Sequence, residues 1–222
     1  MSTHAGVELI IEAFENNADP ERGQQMKSYM KDHFEFYGIP SARRKELAKE
    51  GVNAIKKEDD CFPIIRQLYE LPQRELHYVA IETYYKCRNN WSENALKEIE
   101  WLIQTNSWWD TVDFLASNCA GYLLNTGKLN ISKIAKSWNT GENLWLKRTS
   151  LLFQLKYKEK TNRELLSELI LPHIDDKTFF IKKAIGWALR QYSKTNPDWV
   201  RAFVGKIYLQ PLSTKEALKH IR

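Results

Sequence analysis

The stretch Trp145-Leu-Lys-Arg-Thr-Ser-Leu-Leu-Phe-Gln-Leu155, followed by Leu165, Leu166 and Leu169, decides the fold class. Its apolar residues return every three or four positions, the period of an α-helix buried along one face. The same stripe occurs at Val7, Ile10, Ile11 and Phe14, and again at Ile64, Ile65, Leu68 and Leu71. Breaks fall at Asp19-Pro20, Ile39-Pro40, Leu71-Pro72, Asn139-Thr140-Gly141, Leu171-Pro172, Asn196-Pro197 and Gln210-Pro211. The residue before proline resists the α conformation, so each is a helix boundary. About twelve helices and no strand are expected. When helix starts are aligned, Leu76-x-x-x-Ala80, Trp109-x-x-x-Asp113, Trp145-x-x-x-Thr149, Phe180-x-x-x-Ala184 and Ser213-x-x-x-Ala217 fall in register. Their second positions lie 33, 36, 35 and 33 residues apart. Two helices per unit at that period predict an all-α solenoid of stacked helical repeats, one domain over residues 1–222.

Composition agrees with a folded chain. Of 222 residues, 43% are hydrophobic and 27% charged, and glycine (9) and proline (7) are sparse, which favours long helices over many short strands. The formal charge of +5 is unevenly spread. Glu8, Glu12, Glu15, Asp19 and Glu21 make the start acidic, whereas Lys147, Arg148, Lys156, Lys158, Lys160, Lys182, Lys183 and Arg190 crowd the second half, where a polyanion would bind. Cys61, Cys87 and Cys119 have neither even count nor C-x-x-C spacing, so a disulfide framework or thiolate zinc site is not expected and a cytoplasmic setting is. No signal segment or membrane span is read.

The repeat makes Asp113 conspicuous. Its counterparts Ala80, Thr149, Ala184 and Ala217 are small packing residues, and an ionised carboxylate buried unpaired among them would be costly. It must reach a cation, Arg148 being a candidate, or face a wet cleft. Trp109 shares its helix face, four residues away. Trp145 with Arg148, and Phe180 with Lys183 and Trp187, repeat an aromatic–charge theme in the next two units. Other chemistries find no support. The five histidines lack ligand spacing, and no phosphate-binding loop, dinucleotide fingerprint or nucleophile elbow occurs. No metal or cofactor is expected.

Ser107-Trp-Trp-Asp-Thr-Val-Asp113, Trp145-Leu-Lys-Arg148, Phe153-Gln-Leu-Lys-Tyr-Lys158, Phe179-Phe-Ile-Lys-Lys-Ala-Ile-Gly-Trp187 and Leu212-Ser-Thr-Lys-Glu-Ala-Leu-Lys-His-Ile221, with Met26-Lys-Ser-Tyr-Met30 and His33-Phe34 upstream, resemble the AlkD family of DNA alkylation-repair glycosylases. The resemblance spans nearly the whole chain, in order. It implies a right-handed HEAT-like solenoid whose concave face grips duplex DNA and excises positively charged N3- and N7-alkylated purines. It also implies that the damaged base is not drawn into a pocket. By motif position Asp113 corresponds to the catalytic aspartate, and Trp109 and Trp187 to tryptophans contacting the lesion-bearing nucleotide. Arg148, Tyr29, Lys156, Phe179, Phe180 and Lys183 fall in the DNA-binding set. The chain departs from the family at Pro40, where a glutamine is usual, so Pro40 receives no role. Double-stranded DNA is the expected partner, with no obligate protein partner and a monomeric state. Two other readings stay open: a non-catalytic solenoid binding duplex or branched DNA, and a protein-interaction scaffold, the commonest use of helical repeats.

Overall fold

The computed structural model describes residues 3–221. Among them every regular element is helical, and the sole β-type pairing is an isolated parallel bridge between Glu35 and Gln73. The chain divides at Glu98/Ile99 into two compact units.

The first unit holds α1 (Ala5–Glu15), α2 (Pro20–Tyr29), α3 (Ser41–Leu47), α4 (Lys49–Ile55), α5 (Phe62–Tyr69) and α6 (Arg74–Lys86). Helix α1 packs on α4, and α5 packs on α6. The apolar stripes fill this core: Val7, Ile10 and Phe14 from α1 and Ile64, Ile65 and Leu68 from α5 are all buried. Proline and capping act together at the start of α2, where Pro20 opens the helix and the Asp19 side chain accepts the Arg22 N–H. The α3/α4 break at Ala48 has no proline, which is one reason the elements outnumber the prolines that mark them.

Between α2 and α6 the chain is tied down by charge. Glu75 is fully buried, and its carboxylate accepts the backbone N–H groups of Tyr37 (3.1 Å), Gly38 (2.9 Å) and Ile39 (3.1 Å). Beside it the buried Arg74 lays its guanidinium 3.8 Å from the Phe34 ring centroid and donates to His77 Nδ1 at 3.1 Å. Hydrogen bonds to an ionised acceptor are roughly twice as strong as neutral ones, and they offset the cost of burying the carboxylate.

The second unit begins within α7 (Ala95–Gln104) and continues with α8 (Trp109–Phe114), α9 (Gly121–Leu124), α10 (Ile131–Thr140), α11 (Leu144–Leu152), α12 (Arg163–Ile170), α13 (Phe179–Ser193), α14 (Pro197–Lys206) and α15 (Pro211–Ala217). Helices α8, α11, α13 and α15 pack one on the next, while α10 packs on α11 and α12, and α14 on α13 and α15. This is the two-layer arrangement of a helical repeat. Asparagine caps recur at Asn130, Asn143, Asn162 and Asn196. The aligned positions fall on α6, α8, α11, α13 and α15. Ala80, Thr149, Ala184 and Ala217 are fully buried at helix contacts, and only Asp113 keeps part of its surface open.

Replacing Glu75 by alanine leaves two buried N–H groups, of Gly38 and Ile39, and the part-buried N–H of Tyr37 unsatisfied. At about 1–3 kcal/mol per group the expected loss is about 3 kcal/mol or more. Urea denaturation measures it; a change below about 1 kcal/mol would show that water replaces the carboxylate.

Candidate active site

Asp113 ends the first turn and a half of α8 and Arg148 sits in the middle of α11. Their contact is two-pronged: Nε donates to Oδ1 at 2.7 Å and Nη2 to Oδ2 at 2.8 Å. The same guanidinium donates through Nη1 to the carbonyl of Phe180 in the first turn of α13. One arginine therefore fastens three successive helices. The Asp113 side chain is 13% exposed and that of Arg148 is 5% exposed, so the carboxylate is mostly buried and its partner is sealed. Burial raises the Asp113 carboxyl above the ordinary aspartate range. The Arg148 hydrogen bonds and charge oppose that shift without reversing it, and Asp110 adds to it.

Aromatic rings gather where these helices begin. Trp108, the residue before α8, meets Trp145 of α11 at 5.7 Å and Phe180 of α13 at 5.1 Å, edge to face. Trp145 and Phe180 lie 5.0 Å apart, and Phe179 adds a fourth ring at 5.5 Å from Phe180. Such pairs contribute ~0.5–1.5 kcal/mol each beyond area burial. The Arg148 guanidinium carbon lies 5.8 Å from the Phe180 centroid, so the aromatic cluster adjoins the ion pair. Phe179 is 58% exposed, an unusual position for a phenylalanine. Trp109 opens α8 and Trp187 lies two turns beyond Phe180 on α13; both are half-buried.

Beyond Asp113 the helix changes pitch. Leu115–Ala120 is a π-helical turn joining α8 to α9. Single π turns inside α-helices frequently mark functional sites. Two side chains satisfy carbonyls around it: Ser117 Oγ donates to the Asp113 carbonyl (2.8 Å) and Asn118 Nδ2 to that of Phe114 (3.0 Å). Lys156 Nζ in turn donates to Asn118 Oδ1. Gly121 closes the turn because a Cβ there would sit 2.5 Å from the Phe153 carbonyl. The half-buried Tyr157 donates its hydroxyl to the Gly121 carbonyl at 2.8 Å, and partial burial pushes that phenol well above its usual range.

Asp113, Arg148, Phe179 and Phe180 thus come together at one place, and Lys156 reaches the Asp113 carbonyl only through Asn118 and Ser117. Lys183 is half-exposed and paired with Glu216 at 2.7 Å. Tyr29, the last residue of α2 in the first unit, is 73% exposed. The sequence reading puts both Asp113 and Arg148 exposed in one electropositive groove, and the structure corrects it: Arg148 is buried with three of its five N–H donors spent on Asp113 and Phe180, and the Asp113 side chain is only 13% exposed. Sequence reasoning gave no role to Trp108, Asn118 or Glu216. Trp108 stood inside a quoted motif, but no periodic signal marks a π turn or the partner of a surface lysine. Among the described residues, no group of three or more His, Cys, Asp or Glu is placed to hold a metal ion, and no helix is long and apolar enough to cross a membrane.

Arg148→Gln removes the two-pronged partner of a mostly buried carboxylate. The expected loss of stability is about 3–5 kcal/mol by chemical denaturation, the usual cost of breaking a buried pair on one side. A loss under about 1 kcal/mol would mean that Asp113 is hydrated rather than held.

Comparison with known proteins bears on this arrangement. No curated protein matches the chain. A solved structure described as a predicted DNA alkylation repair enzyme from Enterococcus faecalis is similar, with 33% identity and a TM-score of 0.86, covering 92% of this chain and 96% of that one. The family model for the DNA alkylation repair enzyme matches residues 10–221, which contain the ion pair, the aromatic cluster and the π turn. The chain belongs to the DNA alkylation repair enzyme family.

Proposed function

We propose that the protein is a monofunctional DNA glycosylase that hydrolyses the N-glycosidic bond of N3- and N7-alkylated purines in duplex DNA. The observation that carries this reading is the Asp113 carboxylate, held through both oxygens by Arg148 and still 13% exposed, with the Phe180 ring next to the arginine. An N7- or N3-alkylpurine is already cationic, so it leaves without much protonation. As the bond to C1′ stretches, the sugar becomes oxocarbenium-like, as in other glycoside cleavages. An anion aimed at that charge stabilises the transition state.

Magnitudes set what Asp113 can contribute. A lone carboxylate ~4 Å from the developing cation at an effective dielectric of ~20 contributes roughly 4 kcal/mol. Arg148 subtracts from this. A guanidinium ~7 Å from the same cation opposes it by about 2 kcal/mol, leaving about 2 kcal/mol, or roughly twentyfold in rate. Electrostatics from the ion pair alone is therefore modest. Orientation of the attacking water by the Asp113 carboxylate supplies a second contribution. The half-buried faces of Trp109 and Trp187 supply ~0.5–2 kcal/mol each against a cationic nucleotide.

Affinity for DNA comes from backbone contacts, which carry no sequence preference and suit a target defined by damage. Lys156, Lys183, Tyr29 and the exposed Phe179 form that set with Phe180. Arg148, sealed behind Asp113 and Phe180, holds these groups in place rather than meeting a phosphate itself. The DNA would lie along a concave face of the solenoid with the alkylated base left outside any pocket, unlike the extrusion usual in glycosylases. The protein would act as a monomer in the cytoplasm without metal or cofactor, leaving an abasic site. One observation favours a second reading, a non-catalytic DNA-binding solenoid: a carboxylate already paired in bidentate fashion is partly quenched.

Release of 7-methylguanine and 3-methyladenine from methylated duplex DNA, followed beside binding by fluorescence anisotropy, separates the readings. For Asp113→Asn the expected loss in single-turnover release is between twentyfold and about a thousandfold, with duplex affinity within about threefold of the parent. A variant that releases 7-methylguanine at the parental rate would remove Asp113 from the role. Duplex binding without any release by the parent protein would leave the second reading.

The pH profile gives an independent check. The active form is the ionised carboxylate, whose folded pKa is raised. Release falls as pH drops through a value above that of an ordinary aspartate. Arg148→Gln removes the two influences that lower this pKa, so its acid limb moves further towards neutral pH. A limb at or below the ordinary aspartate value in both proteins would contradict the assignment.

A further inference from the structure

The residue before each aligned repeat position reads Val79, Val112, Arg148, Lys183 and Glu216. In the second unit, Arg148, Lys183 and Glu216 therefore occupy equivalent sites on α11, α13 and α15, helices that pack in that order. Glu216 faces back onto α13. Its Oε1 accepts from Lys183 Nζ at 2.7 Å and its Oε2 from Arg190 Nη1 at 2.6 Å. Lys183 and Arg190 lie seven residues apart, two turns of one helix face, with the carboxylate between them. Gly186 makes the arrangement possible. A Cβ at that position would lie 2.5 Å from the Glu216 Cβ and 2.9 Å from the Ser213 carbonyl, so any other residue would push α15 away. The Ser213 hydroxyl donates to the Lys182 carbonyl at 3.0 Å and fixes the same contact. The two cations hold the Glu216 carboxyl below the ordinary glutamate range, Lys183 contributing most.

The cluster remains open to a ligand. The Lys183 side chain is 37% exposed, that of Arg190 22% and that of Glu216 16%. Each cation keeps donors beyond the single one it gives Glu216. The helix that carries them also carries Phe179, Phe180 and Trp187, and the Phe180 carbonyl accepts from Arg148. A carboxylate in such a place opposes a polyanion directly and occupies the two cations that would otherwise contact its phosphates.

We propose that Glu216 limits DNA affinity: it is a built-in anion that occupies Lys183 and Arg190 in place of a DNA phosphate and so weakens binding to intact duplex. The inference rests on the reading of Lys183 as part of the DNA-binding set. A glycosylase must leave the vast excess of intact DNA, and an internal carboxylate that competes with phosphate weakens non-specific binding without removing the cations. Damaged duplex carries the same phosphates, so the carboxylate lowers affinity for damaged and intact DNA alike; what it shortens is the time spent on the intact excess.

The test uses the full chain and undamaged duplex DNA, with anisotropy titrations from 50 mM to 1 M salt. Freeing the cations adds at least one phosphate contact, and each contact steepens the logarithmic salt slope by about 0.9. Glu216→Gln is expected to bind undamaged duplex about tenfold more tightly at 50 mM salt, with the gain fading towards 1 M. Glu216→Ala should do the same, which covers the case in which the glutamine variant fails to fold. The double variant Lys183→Gln/Glu216→Gln should give back most of the gain. Parental affinity and slope in both single variants, or weaker binding, overturns the proposal even if the protein excises alkylpurines. Absence of any salt-dependent duplex binding by the parent protein overturns it together with the DNA-surface reading of Lys183.

Discussion

One arginine organises the centre of this protein. Arg148 binds both oxygens of Asp113 and the carbonyl of Phe180, and so joins the helices that carry the carboxylate, the arginine and the paired phenylalanines. Burying a guanidinium and a carboxylate costs several kcal/mol each in desolvation, which only close hydrogen-bonded contact offsets. The geometry meets that requirement through both Asp113 oxygens and leaves 13% of the Asp113 side chain exposed. A charge held in this way has a fixed position before any substrate arrives, and pre-positioned charge is what transition-state stabilisation needs.

The surroundings follow from that constraint. Rings of Trp108, Trp145, Phe179 and Phe180 gather beside the ion pair, where an apolar wall strengthens every electrostatic interaction next to it. The π turn after Asp113 accommodates the resulting change in helical register, with Ser117 and Asn118 meeting the displaced carbonyls. Towards the end of the chain the charge pattern inverts. There a carboxylate, Glu216, sits between two cations, where Arg148 sits between a carboxylate and a carbonyl.

Much of this was legible in the chain. The three- and four-residue spacing of Leu151, Leu152 and Leu155 and of Leu165, Leu166 and Leu169 placed the core, because amphipathic burial is a property of local sequence. The 33–36-residue register placed four small residues at helix contacts and singled out Asp113, since a charge among alanines and threonine breaks the packing logic. What stayed hidden depends on tertiary distance. Pairing with Arg148 was one of two options for Asp113, and only the approach of α11 to α8 decides between them. For the same reason the arginine was expected in the open and is found buried. The link between Glu216 and Lys183 spans two repeats, and the π turn leaves the apolar period of Leu115, Ala116, Cys119 and Ala120 indistinguishable from an ordinary helix. The Ala48 break carries no proline, so α3 and α4 read as one segment.

The central claim is that the Asp113 carboxylate meets positive charge on the sugar. The most direct measurement is the affinity of duplex DNA carrying a cationic pyrrolidine in place of the damaged deoxyribose, compared with the same duplex carrying a neutral tetrahydrofuran. Transition-state mimics bind at least about a hundredfold more tightly than ground-state ligands when a site is built for the charge. The account predicts such a preference in the parent protein and its loss in Asp113→Asn. Equal affinity for the two duplexes in the parent protein, or a preference that survives in Asp113→Asn, would contradict it.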